Sequence, residues 1–273
     1  MNILDKIVAE KRREIAALIN RAALPELKKR ALLSPFKPRG FREALVRSRA
    51  FLPVIAEVKK KSPSKGQMAG NFNAARIARA YEQNGAAAIS VLTDMPFFGG
   101  SPADLTQARR STACPLLRKD FILNEAQIYE SVIAGADAVL LIAALLSTAE
   151  LRRFKTLCDA LGLDALIEVH AADELRKLDG MDRLLVGINN RDLKTFKVDL
   201  ATTRKLMPKI RRRYFVVSES GIRHYNDLKK LKKYGVRAAL VGESLMTQSD
   251  PGRALKKLLS PRVAPDADFD DKS

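Results

Sequence analysis

Short, mostly apolar runs rich in β-branched side chains recur along the chain, at residues 53–58, 87–92, 115–119, 138–142, 165–169, 184–188, 214–218 and 238–241. Between them lie longer stretches in which apolar residues return with the helical period. Residues 72–84 keep that period and stop at Gly85, and residues 124–134 stop at Gly135. Residues 147–161 open Ser-Thr-Ala-Glu, a capping-box pattern, and stop at Gly162; residues 224–234 stop at Gly235. A glycine just past the last turn is the left-handed stop that lets a helix turn back into a strand. Near-continuous apolar strands alternating with helices predict a parallel sheet covered on both faces. Eight such units fit an α/β fold of the closed (β/α)8 TIM-barrel type, which takes about 250 residues. A doubly wound open sheet would carry a glycine-rich phosphate turn after an early strand, and none is present.

The segment before the first strand reads differently. Residues 2–21 form one amphipathic helix and residues 34–49 a linker plus a second helix. The expected organisation is an N-terminal helical extension, residues 1–50, packed on a barrel of residues 51–260. Residues 261–273 are short, polar and acidic, and are expected to be a disordered tail.

Composition narrows the setting. With 273 residues and 47% hydrophobic composition the chain can bury a sizeable core. Its two cysteines, Cys114 and Cys158, lack CxxC spacing and read as buried free thiols in a reducing compartment. The start, MNILDKIVAEKRREIAALI, is too charged for a signal peptide, and the longest apolar run, residues 138–146, is too short to span a bilayer. A cytoplasmic protein is expected. The chain leaves no room after the eighth unit for a fused second barrel, so a monofunctional protein is expected. The net charge is +18, with basic runs at residues 28–30, 211–213 and 229–233. Such a field would attract nucleic acid, a membrane surface or a small anion. Aromatics are 6%, Trp is absent, and none interleaves with the basic runs. The runs therefore read as solvated surface, with no specific nucleic acid and no membrane as partner.

Candidate chemistry sits where strands end, because the C-terminal rim of a barrel carries its site. The first strand runs IAEV and then KKKSPSKG, placing Glu57 and Lys59 at its end. The third ends in Lys119, the fifth in Glu168, the sixth in Asn189 and Arg191, and the seventh in Glu219, Ser220 and Gly221. SESG after the seventh strand and VGES after the eighth, with Gly242 and Glu243, fit a phosphate cradle whose backbone N–H groups reach an anion. Lys59, Lys119, Glu57 and Glu168 would share one mouth, where opposite charges hold each other ionised and burial pushes each toward neutral. That suits a lysine proton donor beside a carboxylate acceptor. It equally suits a Schiff-base lysine, so an aldolase or a sugar-phosphate isomerase stays open. There is no HExxH motif and no Ser-His-Asp pattern, and His170 and His224 read as ordinary polar residues.

The motifs IAEVKKKSPSKG, AAAISVLTDMPFFGGS, PLLRKDFI, IEVH, GINNRDLKTF, VSESGI and VGESLM occur in this order. Together with MNILDKIVAEKRREI they resemble the indole-3-glycerol phosphate synthase family of tryptophan biosynthesis, from residue 3 to about residue 259. The resemblance implies a barrel with an N-terminal extension over the site. It implies closure of 1-(2-carboxyphenylamino)-1-deoxy-ribulose 5-phosphate to indole-3-glycerol phosphate, with loss of CO2 and water and with no cofactor. Carried over by motif, Lys119 resembles the general acid. Lys59 resembles the lysine that binds the anthranilate carboxylate and serves as a second acid. Glu168 and Glu57 resemble the paired carboxylates that stabilise cationic intermediates and take a proton. Asn189, Arg191, Glu219 and Ser220 resemble substrate-orienting residues, and Phe121 an aromatic against the substrate ring. Ser62, Gly221, Gly242 and Glu243 resemble the phosphate site. Lys60, Lys61 and Lys65 are expected to attract the anionic substrate. Association with other tryptophan-pathway enzymes is left open. Two segments depart from the family pattern: Gln67-Met68 replace apolar residues, and Asn71-Phe72-Asn73 replaces Asp-Phe-Asp, with Asn73 still able to cap a helix.

Overall fold

The computed structural model describes residues 3–62, 66–68, 72–192 and 197–261. Eight parallel strands close into a barrel: β1 (Val54–Val58), β2 (Ala88–Leu92), β3 (Leu116–Lys119), β4 (Ala138–Ile142), β5 (Asp164–Val169), β6 (Leu185–Asn189), β7 (Phe215–Glu219) and β8 (Ala238–Val241). β1 pairs with β2 on one side and β8 on the other, which closes the ring. The strands are nearly continuous in apolar sequence because both faces are buried. In β1 the outward residues Val54, Ala56 and Val58 pack on the helix layer, while Ile55 joins the cluster inside the barrel. Leu117, Leu166, Leu185, Phe215 and Leu240 fill the same interior. Two residues after Ile55, Leu117, Leu166 and Val217 of that interior, the inward positions turn polar: Glu57, Lys119, Glu168 and Glu219. The period of two along a strand thus stacks a charged layer on an apolar floor.

The capping signals operate as read. Asn73, Asn124 and Ser147 each accept a backbone N–H at a helix start, and Gly135 stops the helix Glu125–Ala134 at φ 89°. β6 and β7 run one residue further than the apolar pattern suggests, through Asn189 and Glu219. Both polar residues therefore belong to the ladder and not to loops. Cys158 is buried and Cys114 half-buried, and both are free.

The first 50 residues hold three helices: α1 (Ile3–Arg21), α2 (Leu24–Leu32) and α3 (Phe41–Arg47). α2 has no counterpart in the hydrophobic pattern, because its buried face is only Leu27 and Ala31. α3 plugs the N-terminal end of the barrel, with Phe41 and Leu45 buried inside it and the Arg42 N–H donating to Asp164 at 2.8 Å. Most of the basic runs lie on solvent: Lys28, Lys29, Arg30, Lys229, Lys230, Lys232 and Lys233 are exposed, as are Arg211, Arg212 and Arg213. Among the described residues no helix is long and apolar enough to cross a membrane. The expected tail, apart from Pro261, lies outside the described residues, as do Lys65 and Asn71.

Candidate active site

At the C-terminal end of the strands a cavity of about 540 Å³ opens. All of the residues nominated from the sequence line it: Glu57, Lys59, Ser62, Lys119, Phe121, Glu168, Asn189, Arg191, Glu219, Ser220, Gly221, Gly242 and Glu243. Ladder register brings them level. Leu92 pairs with Lys119, Ile142 with Glu168, and Asn189 with Glu219.

The Lys119 ammonium stands at the centre. It lies 3.4 Å from Glu219 Oε2, 3.5 Å from Glu168 Oε2 and 4.0 Å from Glu57 Oε2. Burial pushes it toward neutral, but the three carboxylates outweigh burial and hold its pKa well above the usual lysine range. Lys59 pairs with Glu57 at 2.9 Å. Burial would raise the Glu57 carboxyl, yet Lys59 and Lys119 bring it below the ordinary value. Glu168 is likewise buried, and Lys119 and His170 hold it down. Glu219 goes the other way. Its burial is reinforced by the charges of Glu168 and Glu57, which together overcome the pull of Lys119 and raise it toward the neutral acid. Three carboxylates around one ammonium thus divide into two anions and one group that holds its proton more tightly.

Two glycines make this crowding feasible. A Cβ on Gly187 would sit 2.1 Å from Glu219 Oε1, and one on Gly242 would sit 2.3 Å from Glu57 Oε1. After β7 the backbone turns sharply, with Ser220 at φ 67° and Gly221 at φ 80°. A non-glycine in that region is uncommon and strained. Ser220 is held there by its hydroxyl, which donates to Asn189 Oδ1 at 2.9 Å. The same oxygen accepts the Arg191 N–H at 3.0 Å, and the Arg191 guanidinium pairs with Glu243 at 2.9 Å. Glu243 opens the one-turn helix Glu243–Met246 directly after Gly242.

Some residues in and around the cavity escape sequence reasoning. His170 is not an ordinary polar residue: Nε2 is 3.2 Å from Glu168 Oε1 and Nδ1 is 3.4 Å from Glu174 Oε2. Burial would lower it, but the two carboxylates raise it to about 10. The signal was present in the spacing, since His170 and Glu174 are four apart and Glu168 is two back on the same strand end. Ile3, Leu4 and Ile7 of α1 roof the cavity, and Phe98 lines it 6.2 Å from the Phe121 ring. Of the lysines expected to attract substrate, Lys61 is committed to the Pro96 carbonyl at 2.8 Å, and Lys60 stands over the Phe72 ring.

The family model for indole-3-glycerol phosphate synthase matches residues 4–258. A protein of that name from Desulforamulus reducens is 46% identical over 258 residues, covering 94% of this chain and 97% of its own length. One from Neisseria gonorrhoeae is 46% identical over 260 residues, covering 94% and 99%. Among solved structures, 3-hexulose-6-phosphate synthase from Salmonella typhimurium superposes with a TM-score of 0.58 at 13% identity, over 76% of this chain and 97% of that one. At that identity the likeness shows the barrel fold alone.

Proposed function

This chain belongs to the indole-3-glycerol phosphate synthase family, and we propose that it catalyses the ring closure for which the family is named. The substrate is 1-(2-carboxyphenylamino)-1-deoxy-ribulose 5-phosphate. The observation that carries the reading is the Lys119 ammonium set among three carboxylates from three other strands, over an apolar floor.

The aromatic carbon that bears the carboxylate attacks the ribulose C2 carbonyl, forming the new C–C bond. Lys119 gives its proton to the carbonyl oxygen as it becomes a hydroxyl. The developing positive charge on the ring nitrogen is stabilised by Glu57 and Glu168, which stay ionised. The C–CO2 bond then breaks, and its electron pair restores the aromatic ring. Last, the hydroxyl leaves as water with a proton from Lys59 or Lys119, while Glu168 or Glu57 takes the proton from the neighbouring carbon. Glu219, which retains its proton more readily than the other two, is a reservoir 3.4 Å from Lys119 that can restore it. Lys59 holds the substrate carboxylate, and Asn189 and Ser220 orient the sugar. Phe121 packs on the ring. Ser62, Gly221, Gly242 and the Glu243 backbone, with Arg191 near them, receive the phosphate. The reading places the protein in the cytoplasm within tryptophan biosynthesis, where other pathway enzymes are its natural neighbours.

The test adds the substrate to purified protein, without metal or nucleotide, and follows indole fluorescence. The chain has no tryptophan to obscure it. Wild type forms product, and Lys119→Ala is slower by at least ~100-fold, the scale of a lost general acid. No product from folded wild type refutes the reading. A borohydride-trapped adduct on Lys59 or Lys119 would turn it toward Schiff-base chemistry.

A further inference from the structure

The buried stripe of α1 runs Ile7, Lys11, Ile15, Leu18. Its second member is a lysine only 1% exposed, at a position where the helical stripe calls for an apolar side chain. The Lys11 ammonium reaches Asp120 Oδ1 at 2.8 Å, Asp94 Oδ2 at 3.0 Å and Glu14 Oε2 at 2.6 Å. Both aspartates are almost wholly buried. The ring closure proposed above assigns a part to none of these groups, although Asp120 lines the cavity.

Each aspartate holds the backbone of an aromatic residue. Asp94 follows β2 and caps the short helix Met95–Phe98, accepting the N–H groups of Phe97 at 2.9 Å and Phe98 at 3.3 Å. Asp120 follows Lys119 and accepts the Phe121 N–H at 2.8 Å. Its other oxygen accepts from the Thr93 hydroxyl at 2.5 Å and from Arg118 at 3.1 Å. Phe98 and Phe121 face each other across one side of the cavity, and Ile3, Leu4 and Ile7 lie in the two turns of α1 before Lys11. One ammonium therefore ties together the roof and two loops from neighbouring strands. A methionine would fill the same volume and keep the stripe apolar without desolvating a charge. A buried ammonium brings directional contacts to two separate carboxylates, which methionine cannot.

We propose that Lys11 is a positioning residue for substrate binding: through Asp94 and Asp120 it sets the spacing of Phe98 and Phe121, and it seats the α1 roof over the substrate's aromatic ring. The proposal rests on the synthase reading of the cavity.

The test compares Lys11→Met with Ile15→Ala, which loosens α1 without touching the carboxylates or the cavity. Lys11→Met leaves the buried Asp94 without its cation, whereas Asp120 keeps Arg118 at 3.1 Å, so the variant is also made together with Asp94→Asn, which keeps the helix cap. Steady-state kinetics are measured at equal loss of Tm. The Lys11 variants raise KM by roughly 10-fold or more while kcat falls less than ~3-fold, and Ile15→Ala leaves KM within about 2-fold. In the same samples hydrogen exchange speeds selectively at residues 94–98 and 120–122 in the Lys11 variants. This second readout needs no turnover, so it decides the role of Lys11 even if wild type proves inactive and the synthase reading falls. Lys11 variants that match Ile15→Ala in both KM and exchange overturn the proposal.

Discussion

Gly187→Ala tests whether the interior of the barrel has been cleared for a carboxylate. Gly187 is in β6 beside the end of β7, and its backbone is extended, so alanine brings no φ strain. The added Cβ would stand 2.1 Å from Glu219 Oε1. Ordinary contact needs about 3.4 Å, so the carboxylate must retreat by about 1.3 Å. Overpacking of this kind costs about 1–3 kcal/mol, and the freedom of a terminal carboxylate puts the cost toward the low end. The gain from restricting the unfolded chain, about 0.4–1 kcal/mol, offsets part of it. At roughly 2–4 °C per kcal/mol for a domain of this size, Tm should fall by no more than about 6 °C. Activity should suffer far more. Glu219 stands 3.4 Å from Lys119, and a displacement near 1 Å at a reacting centre costs on the order of 100-fold. Calorimetry and kcat/KM measured on the same preparation separate the two effects. A folded variant with kcat/KM within about 3-fold of wild type would refute the argument that Glu219 must occupy that position.

His170→Asn removes a cation from the side of Glu168 away from Lys119. Glu168 will then protonate at a higher pH, so the acid limb of the kcat/KM profile should move upward; an unmoved limb would mean that His170 does not tune it. Stability gives a separate check. His170 is raised from 6.5 to about 10, so its contribution is fully present below about pH 6.5 and lost as pH rises toward 10. The Tm gap between wild type and His170→Asn should be widest near pH 6 and closed by pH 10, as a thermal-shift series would record. Asp137→Ala should cost about 3–5 kcal/mol, because it strands the buried Arg109 guanidinium 2.6 Å away. It also removes the acceptor for the Arg39 and Leu116 N–H groups. Urea unfolding with a loss under ~1 kcal/mol would contradict that. The basic field predicts that kcat/KM falls with added salt, and a rate insensitive to ionic strength would leave the +18 charge without a part in substrate capture.

The barrel was legible because its strands are buried on both faces and its helices end in glycines, two signals that are local in sequence. α2 was not, since two buried residues in nine leave almost no periodic trace. The polar rim residues could be nominated from strand ends, and motif resemblance supplied roles that spacing alone left open between a proton donor and a Schiff base. What sequence could not carry was pairing across strands. Nothing near Gly187 in the chain announces Glu219, which touches it only through the β6–β7 register. Lys11 reads as one more surface charge on a basic helix until the fold sets it against Asp94 and Asp120 from two other loops. His170 reads as an ordinary polar residue for a different reason: its partners are the carboxylates of Glu168 and Glu174, which form no metal-ligand or triad motif.

The electrostatics of the cavity follow from counting what faces Lys119. Were Glu57, Glu168 and Glu219 all ionised, two lysines would confront three buried anions, and the cavity would repel a substrate that itself carries a carboxylate and a phosphate. Retaining one proton on Glu219 balances the lysines against Glu57 and Glu168, and the His170 cation is matched by Glu174 at 3.4 Å, so the empty site has no excess of negative charge to repel an anion. An anion can then enter without displacing Lys119 from its neighbours. The same proton is useful later. A Lys119 surrounded by carboxylates is a weak acid in the empty site, since they raise its pKa well above the usual range. It becomes a competent one when a developing alkoxide draws its proton and an adjacent neutral acid can replace it. In the proposed mechanism, burial of Glu219 beneath Lys119, with Gly187 leaving room for it, serves substrate entry and proton return through a single arrangement, which is why moving that carboxylate should harm catalysis more than folding.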